Sequence, residues 1–147
     1  MNFDPNNKVM QLCAQGMGLE GEGKIQEASD LFLKAWDESI TDLEKFTAAH
    51  YVARHQRTIT GKLKWDETAL FFALKLKNEG SKTYLPSLYL NIAKCHEDLN
   101  DFDNARKHYE LAQSFSQFLP GDGYGKMIAS GIKNGLDRSA EIEKSSN

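Results

Sequence analysis

Apolar residues along the chain recur at spacings of three and four, and no segment alternates as a half-buried strand does. Val9, Leu12, Cys13, Met17 and Leu19 predict one face of a first helix, ended by Gly21 and Gly23. Ile25, Ala28, Leu31, Phe32 and Ala35 predict a second. A third is expected from about Asp42 to Arg57, with Phe46, Ala49, Val52 and Ala53 inward. After a turn containing Gly61, a fourth is expected from Trp65 to Leu76. Its run Ala69 to Leu74 is apolar nearly all round, which predicts burial between neighbours. The fifth is expected over about Ser81 to Leu99, with Pro86 near its start. Asp101 is an expected N-cap for a sixth helix bearing Phe102, Ala105, Tyr109 and Ala112. A last helix is expected from about Asp122 to Glu143, striped by Tyr124, Ile128, Ile132 and Leu136, with Lys144 to Asn147 frayed.

Two segments share one spacing. Gly16 is followed by Ala28, Phe32 and Ala35, and Ala93 by Ala105, Tyr109 and Ala112, at identical offsets. Small residues let two antiparallel helices approach, and the aromatic fills the gap toward the next pair. Tyr89, Ile92, Ala93 and His96 hold the first-helix positions of one segment; Leu12, Gln15, Gly16 and Leu19 hold those of the other. This pattern resembles the tetratricopeptide repeat. Ala53 and Ala69 suit a middle unit, but they are four residues further apart than their counterparts, which places extra residues in a turn around 57–64. The resemblance covers about residues 9–119. It implies an all-α domain over 1–147: three helical hairpins (about 9–42, 43–80 and 82–119) stacked as a short solenoid, closed by a capping helix at about 122–143.

Composition narrows the function classes. The chain is 40% hydrophobic and 27% charged, ordinary for a globular domain. No run of about 18 apolar residues exists, so no membrane-spanning helix and no membrane partner are expected. The start lacks a basic stretch followed by an apolar one, which argues against a secretory signal. Two cysteines, Cys13 and Cys95, both in helical segments, fit a reduced, cytoplasmic protein. The net charge of −3 argues against a nucleic-acid partner. It is unevenly spread, however. Residues 1–42 hold eight acids and three lysines, whereas residues 43–64 hold Lys45, Arg54, Arg57, Lys62 and Lys64 against Glu44. Such a local basic stretch points to a discrete anionic partner, or else to a merely solvated face.

The family resemblance implies a concave groove lined by first helices that binds a protein or peptide. Its groove-facing positions here would be Met10, Cys13 and Met17; then Thr47, His50, Arg54 and Arg57; then Ser87, Leu90, Asn91, Lys94 and Glu97. The expected partner-binding set is His50, Arg54 and Arg57, at helical spacing, with Asn91 and Lys94, forming a wall for an acidic or carboxylate-bearing segment. The alternatives are a structural homo-oligomer and a small enzyme of methyltransferase type. No catalytic constellation favours an enzyme. Cys95 and His96 are adjacent on a helix and point about 100° apart, so they do not pair. The histidines lack metal-ligand spacing, and neither metal nor cofactor is expected. The glycines of 121–125 read as the turn opening the last helix, because a nucleotide-binding loop needs a preceding strand. Gly131 and Gly135 suggest close packing of that helix on a neighbour, in this chain or in a second copy.

Overall fold

The computed structural model describes residues 4–146. They form an all-α protein of seven helices with no strand among the described residues: α1 Lys8–Gly21, α2 Ile25–Glu38, α3 Asp42–Ala53, α4 Ile59–Ala73, α5 Leu85–Asp98, α6 Phe102–Ser114 and α7 Gly123–Ser146. Short 3-10 turns occupy Glu79–Tyr84 and Ser116–Phe118. Consecutive helices pack as pairs, α1 with α2, α3 with α4 and α5 with α6. The chain divides into two compact units, one ending at Leu76 and one beginning at Lys77.

In the first unit, Val9, Leu12 and Cys13 of α1, Ala28, Phe32 and Ala35 of α2, and Ala48, Tyr51 and Val52 of α3 form one core. A Cβ on Gly16 would overlap the Phe32 ring, so only glycine lets α1 lie against that ring. Phe32 stacks on Tyr51, with centroids 5.1 Å apart, and on His55 at 6.0 Å. The aromatic thus fills the space toward the next helix pair, as its spacing predicts.

The second unit repeats the device. Ala93, Ala105 and Tyr109 are fully buried or nearly so, and Leu90 and Leu136 pack against them. Here α7 supplies the close approach, because a Cβ on Gly135 would overlap the Tyr109 ring. Gly131 lies against Leu90 less tightly, a Cβ there coming 3.0 Å from the leucine Cδ2. The close packing that these two glycines suggested is satisfied within the chain.

The correspondence extends past the helix ends. Gly23, with φ 78°, and Asn100, with φ 63°, stand seven residues after Gly16 and Ala93. Both adopt the left-handed conformation that closes a helix. The amide after each reaches back to the last turn: Lys24 N–H donates to the Leu19 carbonyl at 2.9 Å, and Asp101 N–H to the His96 carbonyl at 2.8 Å.

Several helix limits differ from the sequence expectation. α3 stops at Ala53, not Arg57: Arg54 and His55 amides turn back to Tyr51 and Val52, and the Gln56 side chain takes the Val52 carbonyl at 3.2 Å. α4 starts at Ile59, not Trp65, because Thr58 Oγ1 accepts the Gly61 N–H at 3.0 Å. The loop of the middle pair, residues 54–58, is five long against three (22–24 and 99–101) in the other pairs, and α4 begins ten residues before Ala69 where α2 begins three before Ala28, so the extra residues are both turn and added helix. The run 69–74 is not buried all round, since Phe71 is 56% and Leu74 55% exposed. α5 starts at Leu85, and the residues before it form a 3-10 turn. Tyr124 and Met17 are exposed, outside the buried stripes assigned to them. Lys144 to Ser146 continue α7, and Asn147 lies outside the described residues.

Candidate functional site

The expected basic residues of the first unit sit at the end of α3 and in the loop after it, but they are not equivalent. His50 is half-buried, and its Nδ1 is enclosed without a hydrogen-bond partner. Burial first, then the charges of Arg54 and Lys62, push it down to about 4. It is neutral at neutral pH, so the expected wall loses one cation. Arg54 caps α3. Its Nε lies 3.5 Å from Glu20 Oε2, and its guanidinium lies over the Tyr51 ring at 5.4 Å. The same Glu20 carboxylate holds His55 Nε2 in close contact. Glu20, at the end of α1, is the residue that sequence reasoning missed. Nothing in local spacing joins it to residues 34 and 35 positions later.

Arg57 lies beyond α3, in the α3–α4 loop, so it does not continue a helical face with His50 and Arg54. It is exposed and has no ion pair among the described residues. With His55, Gln56 and Thr58 it lines an open cleft of about 490 Å³, whose other side is Ile25, Gln26 and Ser29 at the start of α2. α2 has no side-chain cap, so its first amides lack that partner. The other lysines of the stretch are accounted for in part. Lys62 pairs with the buried Asp66 at 2.5 Å, and Lys45 lies over the Trp36 ring.

Of the remaining groove positions of the first unit, Met17 is exposed and the others face inward. Met10, Cys13 and Thr47 are buried, and the Thr47 hydroxyl donates to the Leu43 carbonyl at 2.7 Å. Burial pushes the Cys13 thiol up to about 12, which makes it inert as a nucleophile at neutral pH.

Asn91 and Lys94 belong to α5 of the second unit. Lys94 is exposed and pairs with Asp98 at 2.7 Å; Asn91 is half-buried. Glu97 faces α6 and α7 instead. It accepts the Tyr109 hydroxyl at 2.6 Å, Arg138 Nε at 2.8 Å and a terminal Arg138 nitrogen at 3.1 Å. Burial raises the Glu97 carboxyl, but the bonds from Arg138 and Tyr109 and the charges of Arg138 and Lys94 outweigh it and hold it below its ordinary value. This pair fastens the last helix. Cys95 is buried, and His96 turns toward Asp101, 3.7 Å away. No group of three or more metal-ligating side chains converges among the described residues. Gly123 opens α7, and a 3-10 turn, not a strand, lies just before that glycine segment. No helix among the described residues is long and apolar enough to cross a membrane.

No protein-family model matches the chain, and neither a curated protein nor a solved structure matches it.

Proposed function

We propose that the chain is a tetratricopeptide-like interaction module that binds a protein or peptide segment bearing a carboxylate, with Arg57 as the principal contact and Arg54 beside it. The observation that carries this reading is the position of Arg57: a cation without an acidic partner among the described residues, on the rim of the open cleft at the start of α2. A guanidinium presents two parallel N–H donors to a carboxylate, and Ile25, 47% exposed, offers apolar cover beside them. His50 drops from the partner-binding set because it is uncharged. Asn91 and Lys94 remain candidates on the α5 face of the second unit. The twin small-and-aromatic spacings and their matching left-handed helix ends support the repeat assignment. Gly131 and Gly135 pack against Leu90 and Tyr109 of the same chain, so a second copy is not needed to cover them.

The test is a titration of labelled peptides ending in Asp or Glu against the wild type and two variants. Arg57→Ala is expected to weaken binding by about 1.5–3 kcal/mol, the scale of a charged hydrogen bond, and to leave the melting temperature unchanged. Arg54→Ala is expected to weaken binding less and to cost stability up to about 1 kcal/mol through Glu20. Unaltered affinity in Arg57→Ala ends the proposal.

A further inference from the structure

At the opposite end of α2 from the Arg57 cleft, the first unit carries an aromatic cluster. Trp36 of α2 meets Trp65 of α4 edge to face at 5.1 Å, and Phe72 at 6.1 Å. Phe72 in turn meets Phe71 at 5.1 Å. Part of this cluster faces water, and Phe71 is more than half exposed. Leu33, one turn before Trp36 on α2, is exposed, and so is Ile40, just beyond the end of that helix, to 83%. Scattered single exposures are ordinary, but a joined set of large rings and aliphatic side chains marks a surface that meets something else.

Two ammonium groups sit over these rings. Lys45 Nζ is 4.9 Å from the Trp36 centroid, and Lys75 Nζ is 4.3 Å from that of Phe71. Neither lysine has a carboxylate within ion-pairing distance among the described residues, whereas Lys8 and Lys62 do. An ammonium over a ring keeps N–H donors free on its outer side, so the face combines apolar contact with unanswered positive charge. The complement is a segment with an apolar anchor beside a carboxylate. A polyanion fits poorly, because Asp37, Glu38, Asp42 and Glu44 stand on the same ends of α2 and α3 and would repel it.

We propose that Trp36, Trp65, Phe71 and Phe72, with Lys45 and Lys75, form a docking surface for a peptide segment of another protein that carries an aromatic or aliphatic anchor next to an aspartate or glutamate. This surface is separate from the Arg57 cleft and does not depend on it.

The experiment uses the full chain and a fluorescein-labelled synthetic peptide pool in which one or two Asp or Glu residues flank a Phe, Trp or Leu in an otherwise neutral sequence. The same pool with Lys in place of the acids is the control. The acidic pool is expected to bind and the basic pool not to. Phe71→Ala and Lys75→Glu, both at exposed positions, are each expected to weaken binding at least tenfold with unchanged melting temperature. Lys45→Glu is expected to do the same, and the losses are expected to persist in an Arg57→Ala background, where the cleft contact is removed. Binding lost only in Arg57→Ala would assign the peptide to the cleft and overturn this proposal while sparing the other. Indifference to Phe71→Ala and Lys75→Glu also overturns it. So does a dimer, seen by light scattering, that Phe71→Ala dissolves, or tight binding of phosphatidylserine vesicles through the same residues in place of the peptide.

Discussion

Gly16 and Gly135 meet aromatic rings that cannot give way. Phe32 is held by Tyr51 and His55, while Tyr109 is fully buried with its hydroxyl fixed by Glu97 and Arg138. Adding one methyl at either glycine is therefore expected to destabilise by about 1–3 kcal/mol, as overpacking does, despite the better helix propensity of alanine. Gly18, also in α1, has open space around it, so Gly18→Ala is expected to stabilise by about 0.5–1 kcal/mol. Urea denaturation of the three variants checks this, and equal effects would show that packing does not require the glycines. The rings differ for a reason as well: Phe32 has no polar atom to satisfy, whereas the buried Tyr109 hydroxyl needs Glu97 and Arg138 as partners. At His50 the same accounting gives a pH effect. The unfolded chain protonates this histidine near 6.5, and the folded chain near 4. Between those values the unfolded state holds more protons. Stability is therefore full above about 6.5 and falls as pH drops toward 4, by up to about 3 kcal/mol. His50→Phe keeps a ring beside Phe46 and Tyr51 and removes the enclosed, unpartnered nitrogen. It is expected to flatten this slope, read as the change in urea midpoint between about pH 7 and pH 5. An unaltered slope would place the effect on other groups.

At the scale of helices, apolar periodicity located all seven, and at α3 and α4 a side-chain cap sets where the helix begins. The fourth helix shows why. Its dense apolar run starts at Trp65, but Thr58 nucleates it nearly two turns earlier, and between them only Ile59 and Leu63, four apart, mark the helix, with Gly61 reading as a turn. The start of α3 has a stronger sequence sign, Thr41 three residues before Glu44. That pair forms a capping box, and the Glu44 carboxylate also takes Asn7 Nδ2 at 2.8 Å, joining the starts of α1 and α3. The α1–α3 link could not be read locally, because 37 residues separate its partners. Nor could the Glu97–Arg138 pair, 41 apart, which fixes α7. That pair and the glycine contact make α7 a cover for the Tyr109 core. Deleting residues 121–147 removes Leu136 and Gly135 from that core, takes away the buried Ile128 and Ile132, and uncovers Tyr109. Each large side chain stripped of cover costs about 1.5–3 kcal/mol, so the truncated chain is expected to melt well below the full one. A truncation with an unchanged melting temperature would make α7 an appendage.

Across the whole chain, the linear charge pattern overstated the basic character of residues 43–64. The fold sets Glu20 against Arg54 and His55, Asp66 against Lys62, and Trp36 under Lys45, and burial leaves His50 neutral. The small-and-aromatic spacing was legible because packing demands it of neighbours close in sequence. The pairing of charges was not, because it follows from which helix ends come together. The residual positive charge is thus a few discrete groups on a chain of net charge −3, not a field. This sets an expected salt dependence for an acidic peptide. One or two ion pairs release few counterions, so affinity is expected to fall less than about tenfold between 50 and 200 mM salt, whereas a protein making six or more phosphate contacts loses about 10³-fold or more. Anisotropy titrations at the two salt concentrations distinguish these. A steep fall, or efficient competition by a single-stranded oligonucleotide, would show that the chain meets its partners through an extended field and would displace both discrete contact sets.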